Sequence, residues 1–443
     1  MYAAGLAAVE PRVVVRRLTF LPDGVRFHDE ELRPSGKFVL VALGKAGPGL
    51  AAAFLAATLR PPDTAFVLAP DGVEAPSSVA PFLRLASHPV ADLRGEHATL
   101  ELLDLLAGLS RDDGVLVLLS GGASALLAAP LPHINRTEIA DLTVALLRAG
   151  TPIGELNTVR KHLLAAAGGR LAAACPAAVL GLALSDVSGD EPSLIASGPV
   201  TADPTTFAEA RAVLARRGVE GRFPEIVRFL DAGVSGLVDE TPKPGDPRLS
   251  RARTRLLAGN RDALAAASAY AREVGFVSHI LTTVLHGEAR EVGSALGALA
   301  RAVGSAEPLA LFAGGETTVT VVGQGCGGRN LELALAAARR LAGSDERCLL
   351  AAATDGVDGA SPAAGAVVDG GTIERAVARG RDPEGDLAAN DSWGFFAGSR
   401  EAIVTGVTGT NVADLVVVLA AGKPSEALPL TSALSLTTPP PPH

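Results

Sequence analysis

Residues 156–206 read LNTVRKHLLAAAGGRLAAACPAAVLGLALSDVSGDEPSLIASGPVTADPTT, in which three polar clusters stand among alanine and leucine. The apolar segment AVLGLAL (178–184) is short and ends in a polar loop that carries Asp186 and Asp190. A short apolar run with such flanks is typical of a buried strand in a parallel sheet. Ligand-binding groups gather at the carboxyl ends of such strands, so the loop after this strand is a candidate site.

Two further polar clusters flank this strand. Ser197 and Gly198 stand in the loop that follows the carboxylates, whereas Asn157, Arg160 and Lys161 open the preceding helical run. Cations near the start of a helix oppose the helix dipole, so a solvated surface is one interpretation of Arg160 and Lys161. Their position beside the carboxylate loop favours the other interpretation, an anion-binding role.

The same order of strand, polar loop and helix recurs before this stretch. Apolar runs followed by polar or glycine-rich loops occur at 37–44, 64–72, 82–92 and 114–130. Strands that alternate with helices indicate a parallel α/β sheet with right-handed crossovers. The N-terminal part is therefore predicted to be a Rossmann-like parallel-sheet domain.

The second half of the chain repeats this pattern with different loops. A segment rich in proline, glycine and charge (236–250) is the predicted domain boundary, although an exposed loop is the alternative. The strand RLLAG (255–259) is assigned to the second half, and further strands are predicted at 278–283, 308–322, 348–356 and 414–420. The predicted fold is α/β with an N-terminal domain at 1–238, a C-terminal α/β domain at 239–425 and a poorly ordered tail at 426–443.

Composition excludes several classes of function. The chain has 443 residues, 48% of them hydrophobic, and a net charge of −9. Nucleic-acid binding needs a basic surface, so it is not expected. We expect no membrane association either, because no uninterrupted apolar run reaches about 18 residues and no signal pattern opens the chain. Three widely spaced cysteines indicate neither a disulfide framework nor a zinc site, and we expect a cytoplasmic protein.

Two glycine-rich turns are candidate phosphate loops. GKAGPG (44–49) and SGGASALL (120–127) each join a predicted strand to a helix, where backbone N–H groups and the helix dipole favour an anion. GKAGPG is neither a Walker A loop nor a GxGxxG fingerprint, and SGGASALL does not contain the G-x-S-x-G elbow of a hydrolase serine. A solvent-facing Lys45 and a purely structural turn are the alternatives. The candidate phosphate-binding residues of the second turn are Ser120, Gly121, Gly122 and Ser124.

Carboxylates and cations complete the candidate set. Asp186 and Asp190 carry the oxygen ligands that Mg²⁺ prefers, although capping and turn formation are the alternative roles for both. The C-terminal half offers Glu316, Arg329, Asn330, Asp355 and Asn411 around its own glycine-rich loops. Phosphate loops, cations and a magnesium carboxylate are the parts that phosphoryl transfer requires.

An ordered set of motifs resembles the glycerate 2-kinase family, whose C-terminal half is called the MOFRL domain. The matching segments span almost the whole chain, from about Val9 to Leu419: NTVRKHL, AGGRLA, SDVSGDEPSLIASGP, DPTT, GGRNLE, ATDGVDG and TGTNVADL. The resemblance implies an ATP-dependent, Mg²⁺-requiring kinase that converts D-glycerate to 2-phosphoglycerate. It also implies an active site in the cleft between two α/β domains.

The resemblance also implies roles for individual residues. Lys45 in GKAG, Arg329 in GGRN and Asp186 are the expected catalytic residues, and Asp190 with Asp186 is the expected metal site. Asp186, Asp190, Glu316 and Asp355 all remain candidates for the metal ligand and for a base. The residues expected to bind substrate or phosphate are Ser120, Gly121, Gly122, Ser124, Asn157, Arg160, Lys161, Ser197, Gly198, Glu316, Asn330, Asp355 and Asn411.

The chain departs from the family pattern at three places, and three other functions are open. Ala123 replaces a glycine, SPAAGA (361–366) replaces TDAAGA, and GVTGTN (406–411) replaces GPTGTN. The alternatives are an NAD(P)H-dependent hydroxypyruvate reductase, a kinase of another small hydroxy acid, and a regulator that binds a nucleotide or sugar phosphate. We expect a monomer or a homodimer.

Overall fold

The structure is a computed structural model and describes residues 1–304 and 306–421. The predicted tail at 426–443 lies outside the described residues. The chain forms two compact units, which we call the N-terminal unit (residues 11–258) and the C-terminal unit (residues 1–10 together with residue 259 onward). Helix α1 (Tyr2–Ala8) belongs to the C-terminal unit.

The N-terminal unit is built around a six-stranded sheet of order β6-β5-β4-β7-β8-β9, in which every pair is parallel. A separate antiparallel sheet has the order β1-β2-β3. The elements are α2 (Pro11–Val14), β1 (Thr19–Leu21), β2 (Gly24–Phe27), β3 (Glu30–Leu32), β4 (Phe38–Leu43), α3 (Gly47–Ala57), β5 (Thr64–Pro70), β6 (Leu83–Ala86), α4 (Leu93–Ala107), β7 (Gly114–Leu119), α5 (Ala123–Leu126), α6 (Arg136–Arg148), α7 (Ile153–Lys161), α8 (Arg170–Ala173), β8 (Ala178–Leu184), α9 (Phe207–Arg216), α10 (Pro224–Val234) and β9 (Ala252–Ala258). The predicted parallel sheet is confirmed.

The central strands are apolar throughout because both faces of the sheet are covered. Every residue of β4 and of β7 is buried, so neither strand alternates between apolar and polar positions. Since all strands run in one direction, their carboxyl ends meet at one edge. The polar loops after β4, β7 and β8 therefore lie at the same edge of this sheet.

The C-terminal unit has a mixed sheet of order β10-β11-β15-β12-β13-β14. Only β10 and β11 pair in parallel, and the other pairs are antiparallel. Its elements are α11 (Asn260–Glu273), β10 (Val277–Leu285), α12 (Ala289–Ala302), β11 (Leu309–Gly315), α13 (Arg329–Leu341), β12 (Arg347–Ala353), β13 (Gly365–Asp369), α14 (Thr372–Ala378), α15 (Pro383–Ala388), α16 (Ser392–Phe396), β14 (Ala402–Ile403) and β15 (Asp414–Ala420). No helix among the described residues is long and apolar enough to cross a bilayer.

The unit boundary differs from the predicted boundary at 238/239. Strand β9, which the sequence pattern assigned to the second half, pairs in parallel with β8 and so belongs to the first sheet. The first ten residues join the C-terminal unit instead, where the Thr410 hydroxyl donates to the Val9 carbonyl at 2.6 Å and the Tyr2 hydroxyl donates to the Ala353 carbonyl. Neither pairing has a local signal in the sequence.

Strand β11 is also shorter than the predicted strand 308–322. It ends at Gly315, and the segment after it does not continue the ladder: its backbone bonds to residues 285–289, and side chains hold the rest. Glu288 accepts from the Thr320 N–H at 3.0 Å, and Asn390 accepts from the N–H groups of Val322 and Gly323. The β-branched composition of this segment therefore did not decide its structure.

Candidate active site

The two glycine-rich turns of the N-terminal unit interlock at the carboxyl ends of β4 and β7. The Ser120 hydroxyl lies 2.9 Å from the Leu43 carbonyl and accepts from the Ala46 N–H at 3.1 Å. The Lys45 N–H donates to the Gly121 carbonyl at 2.9 Å. Ser120 is fully buried and therefore fixes the two turns against each other, and it is not exposed to a substrate.

Glycine is required where the two turns meet. Gly44 has φ +101°, and a Cβ atom there would lie 2.4 Å from the Ser120 carbonyl oxygen. A Cβ atom at Gly122 would approach Lys45 Cγ at 3.4 Å and the His88 ring at 3.2 Å. The Lys45 side chain thus runs along Gly122 and near His88, which follows β6. His88 was not among the predicted site residues, and its place just after a strand was the available signal.

A second cluster lies in the loop after β8. The Ser197 hydroxyl lies 2.9 Å from the Ser124 hydroxyl and 3.2 Å from Asn157 Oδ1. Both Ala196 (φ 54°) and Ser197 (φ 60°) adopt the left-handed conformation, which is unfavourable for residues with a side chain. Such strain is concentrated at functional sites. The structure therefore brings together three of the residues that the sequence analysis selected.

The two carboxylates of the β8 loop differ in their surroundings. Asp190 is partly buried and has φ 54°, and its N–H donates to the Val187 carbonyl at 3.0 Å. Within residues 1–304 and 306–421, no donor bonds to the Asp190 carboxylate. A capping role would require such a donor, so the structure gives no support to capping by Asp190. The turn alternative stays open, because the Asp190 backbone closes a turn. Asp186 is partly buried and has other interactions in the fold.

Arg160 and Lys161 separate on the last turn of α7. Lys161 is 1% exposed, and its Nζ lies 3.2 Å from Oδ1 of the fully buried Asp203. The structure thus gives Lys161 a structural role in place of the predicted contact with substrate. Arg160 is partly buried, and burial lowers the pKa of its guanidinium. Among the described residues, no acceptor bonds to that guanidinium.

The C-terminal unit has its own charged cluster at one edge of the mixed sheet. Glu316 follows β11, and Asp414 opens the antiparallel strand β15 opposite Gly315, so both residues lie at the same end of the sheet. Arg329 at the start of α13 bonds to Asp414 through Nε (2.6 Å) and Nη2 (2.9 Å), and its Nη1 lies 2.8 Å from Glu316 Oε1. Asp414 was not among the predicted site residues, because 85 residues separate it from Arg329.

The remaining predicted residues of this unit have mainly internal partners. Asp358 accepts from the N–H groups of Asn330 (3.0 Å) and Leu331 (2.8 Å) and so caps α13. Burial raises the pKa of the Asp358 carboxyl to about 6. Asn330 is 1% exposed, and its Oδ1 is buried without a partner among the described residues. Asp355 accepts from the Val357 N–H at 3.1 Å, and Asn411 accepts from the Ala413 N–H at 3.2 Å.

Comparison with known proteins gives the family. Residues 1–230 match the family model described as Domain of unknown function (DUF4147), and residues 309–414 match the MOFRL family. A D-glycerate 2-kinase of Thermotoga maritima is 42% identical over 338 residues, which cover 75% of this chain and 78% of that protein. A protein of Agrobacterium vitis named putative hydroxypyruvate reductase is 39% identical over 95% of this chain and 93% of its own length.

A solved structure extends the likeness to the fold. The crystal structure of glycerate kinase from Thermotoga maritima superposes with a TM-score of 0.81 at 37% identity, covering 95% of this chain and 97% of that chain. This chain therefore resembles that glycerate kinase in both sequence and fold over almost its whole length. The chain belongs to the glycerate 2-kinase family, with a MOFRL domain in its C-terminal half.

Proposed function

We propose that this protein is a glycerate 2-kinase, which transfers the γ-phosphoryl group of ATP to D-glycerate and forms 2-phosphoglycerate and ADP. The observation that carries the proposal is the interlocked pair of turns that holds Lys45 beside Gly122, in a chain that is 42% identical to a D-glycerate 2-kinase. The location of the active site between the two domains stays a prediction.

Lys45 and the first turn of α3 are the proposed contacts for the ATP phosphates. Helix α3 has eleven residues, and its dipole favours negative charge at its N-terminus. Lys45, two residues before α3, adds a mobile positive charge. Gly121 and Gly122 permit close approach of a phosphate to the backbone, as the absence of a side chain allows.

Arg329 is the proposed catalytic residue of the C-terminal unit. Its bond to Asp414 is bidentate, and the Asp414 side chain is only 6% exposed, so this contact fixes the guanidinium. Glu316 is 52% exposed and holds the third nitrogen, Nη1. We propose that a phosphate oxygen displaces Glu316 from Nη1, because an exposed ion pair contributes little free energy. Asn330, Asp355 and Asn411 then shape the loops around this cation.

Arg160 is the proposed anchor for the carboxylate of glycerate. Its guanidinium lacks an acceptor among the described residues, and a guanidinium fork matches a carboxylate bidentately. Ser124 is partly exposed and is the proposed contact for a hydroxyl of the acceptor. Ser197 and Asn157 are buried and hold Ser124 in place, because the Ser197 hydroxyl bonds to both Ser124 and Asn157. Gly198, with φ 62°, allows the sharp turn that places Ser197.

Asp186 and Asp190 fit a magnesium ion by their chemistry. Two carboxylates together with phosphate oxygens and water are a usual ligand set for Mg²⁺, and the Asp190 carboxylate accepts no hydrogen bond from the described residues. When bound, the ion would neutralise charge on the ATP phosphates. Asp186 is also the proposed position for a proton acceptor near the acceptor hydroxyl.

Asp190→Asn tests the metal assignment. We expect the Mg²⁺ concentration for half-maximal activity to rise about tenfold or more, because one anionic ligand is lost. The exposed Asp104→Asn on α4 is the control and should leave this concentration unchanged. An unchanged Mg²⁺ dependence in Asp190→Asn would exclude Asp190 as a ligand.

Release of ADP tests the proposed reaction. Purified protein with ATP and Mg²⁺ should release ADP when D-glycerate is added, and should release little without it. If another small hydroxy acid caused ADP release and D-glycerate did not, the protein would still be a kinase, but D-glycerate would not be its acceptor. The three cysteines are free thiols, which suits the reducing cytoplasm that we propose for this protein, as a monomer or a homodimer.

A second candidate function rests on the Agrobacterium vitis relative, whose printed name is putative hydroxypyruvate reductase. A reductase needs a nicotinamide cofactor, and the turn after β4 reads GKAGPG in place of GxGxxG. NADH or NADPH oxidation with hydroxypyruvate tests this alternative directly. Oxidation at a rate comparable with ADP release would favour the reductase.

A further inference from the structure

The N-terminal unit contains a cavity of about 150 Å³. Its lining comes from helix α6, the end of α7, helix α5 and the loop 89–91, and it is partly open to solvent. Its wall is mainly aliphatic and includes Ala125, Ala128, Ile139, Ala140, Val144 and Leu164. Apolar side chains also remain exposed there, with Val90 and Leu147 both 56% exposed. A cavity with such a wall favours an apolar group.

Two arginines reach this cavity, and their states differ. Arg136 is engaged: its Nε lies 3.1 Å from Glu96 Oε2, and its Nη1 donates to the Ala91 carbonyl at 3.3 Å. Arg160 lines the same cavity without an acceptor for its guanidinium in the described part of the chain. A partly buried cation without a partner is costly, and an anion bound beside it removes that cost.

The size and the wall of the cavity select the class of ligand. A cavity of about 150 Å³ with aliphatic walls holds a benzene molecule in another protein. Glycerate is a poor match for these aliphatic side chains, because its hydroxyls would lose their hydrogen bonds to water when buried against them. A matching ligand has a compact apolar body, which packs against the aliphatic side chains, and one carboxylate, which pairs with the Arg160 guanidinium.

We infer that this cavity binds small monocarboxylates whose apolar body is about the size of a benzene ring, with the carboxylate on Arg160. Arg160 and Ser124 are common to the cavity wall and to the proposed glycerate site, so the two ligands meet at one cation. The inference itself depends on the cavity and on its unpaired charge. Its test therefore does not require turnover.

Benzoate is the probe, and its binding is measured by isothermal titration calorimetry and by ligand-observed NMR without ATP or glycerate. We expect benzoate to bind and benzyl alcohol, which has the same ring without the charge, to bind at least about tenfold more weakly. Arg160→Gln should weaken benzoate binding about tenfold or more. Ala140→Leu, which fills the cavity from α6, should do the same while leaving Arg160 in place.

The matched control is Arg148→Gln, which removes an exposed arginine of α6 and should leave benzoate binding unchanged. Thermal melting of each variant checks that the fold is retained. No benzoate binding to the wild type, or binding that neither Arg160→Gln nor Ala140→Leu weakens, would overturn the inference. Because neither measurement uses ADP release, failure here is distinguishable from failure of the proposed kinase activity.

Discussion

Lys45→Ala is expected to lower kcat/KM for D-glycerate about 10³-fold, because it removes a charge that stabilises the transferred phosphoryl group. Removing one preorganised charged or donor group that stabilises a transition state costs about 10²- to 10³-fold in rate. Phosphoryl transfer depends almost entirely on positioning and charge neutralisation, so the upper end of that range applies. Steady-state measurement of ADP release gives kcat/KM for the variant and for the wild type.

Lys37→Ala is the matched control for this prediction. Lys37 is exposed and precedes the amino end of β4, whereas Lys45 follows the carboxyl end of the same strand. The control should keep the activity of the wild type, and both variants should keep its melting temperature. If Lys45→Ala turns over D-glycerate at a rate near that of the wild type, Lys45 is not catalytic.

Asp203→Ala is expected to lower the free energy of unfolding by about 3–5 kcal/mol, because it leaves the buried ammonium of Lys161 without its counter-ion. The effect is large because the Asp203 carboxylate has several partners. Its Oδ1 lies 3.2 Å from Lys161 Nζ and accepts from the Thr205 N–H at 3.0 Å, and its Oδ2 accepts from Thr241 Oγ1 at 3.0 Å. Chemical denaturation with two-state analysis measures the loss.

The control pair is exposed. Arg228 Nη1 lies 2.6 Å from Glu225 Oε2, and the two side chains are 72% and 54% exposed. Glu225→Gln should therefore lower the free energy of unfolding by less than about 1 kcal/mol. Lys161→Met and Asp203→Ala should each lower the free energy of unfolding. The double variant should lose less than the sum of these two losses, because it leaves no unpaired charge in the core. Equal small losses for Asp203→Ala and Glu225→Gln would contradict the structural role of the buried pair.

The same pair has a defined dependence on pH. Burial acts to raise the pKa of Asp203, but the Lys161 ammonium and the hydrogen bonds from Thr205 outweigh it and keep this pKa below its ordinary value. A carboxyl with a lowered pKa in the folded state contributes stability above its unfolded pKa of about 4. That contribution is lost as the pH falls through the folded pKa, so wild type and Asp203→Ala should converge in stability in acid.

The sequence predicted the features that depend on neighbouring residues. Apolar runs that end in glycine or aspartate located the strands β4, β7 and β8 and the loops at their carboxyl ends. These loops are local, and the parallel sheet brings them to one edge whatever the details of the helices. Lys45 and Ser124 could therefore be selected without a structure.

Other features depend on residues far apart in the chain. Arg160 and Lys161 are adjacent, and successive positions of a helix point about 100° apart, so their roles diverge. Which of the two faces the core is decided by Asp203, 42 residues further on. Strand β9 joins the first sheet through pairing with β8, and Arg329 is fixed by Asp414 across 85 residues. No local pattern predicts these contacts.

The central claim is that the 2-hydroxyl of D-glycerate accepts the γ-phosphoryl group of ATP. Phosphorus NMR of a completed reaction with ATP, Mg²⁺ and D-glycerate identifies the product directly. We predict the signal of 2-phosphoglycerate, growing as that of ATP declines and that of ADP appears. A signal of 3-phosphoglycerate would contradict the proposed regiochemistry, and no phosphorylated product from folded protein that binds ATP would contradict the proposed glycerate kinase activity itself.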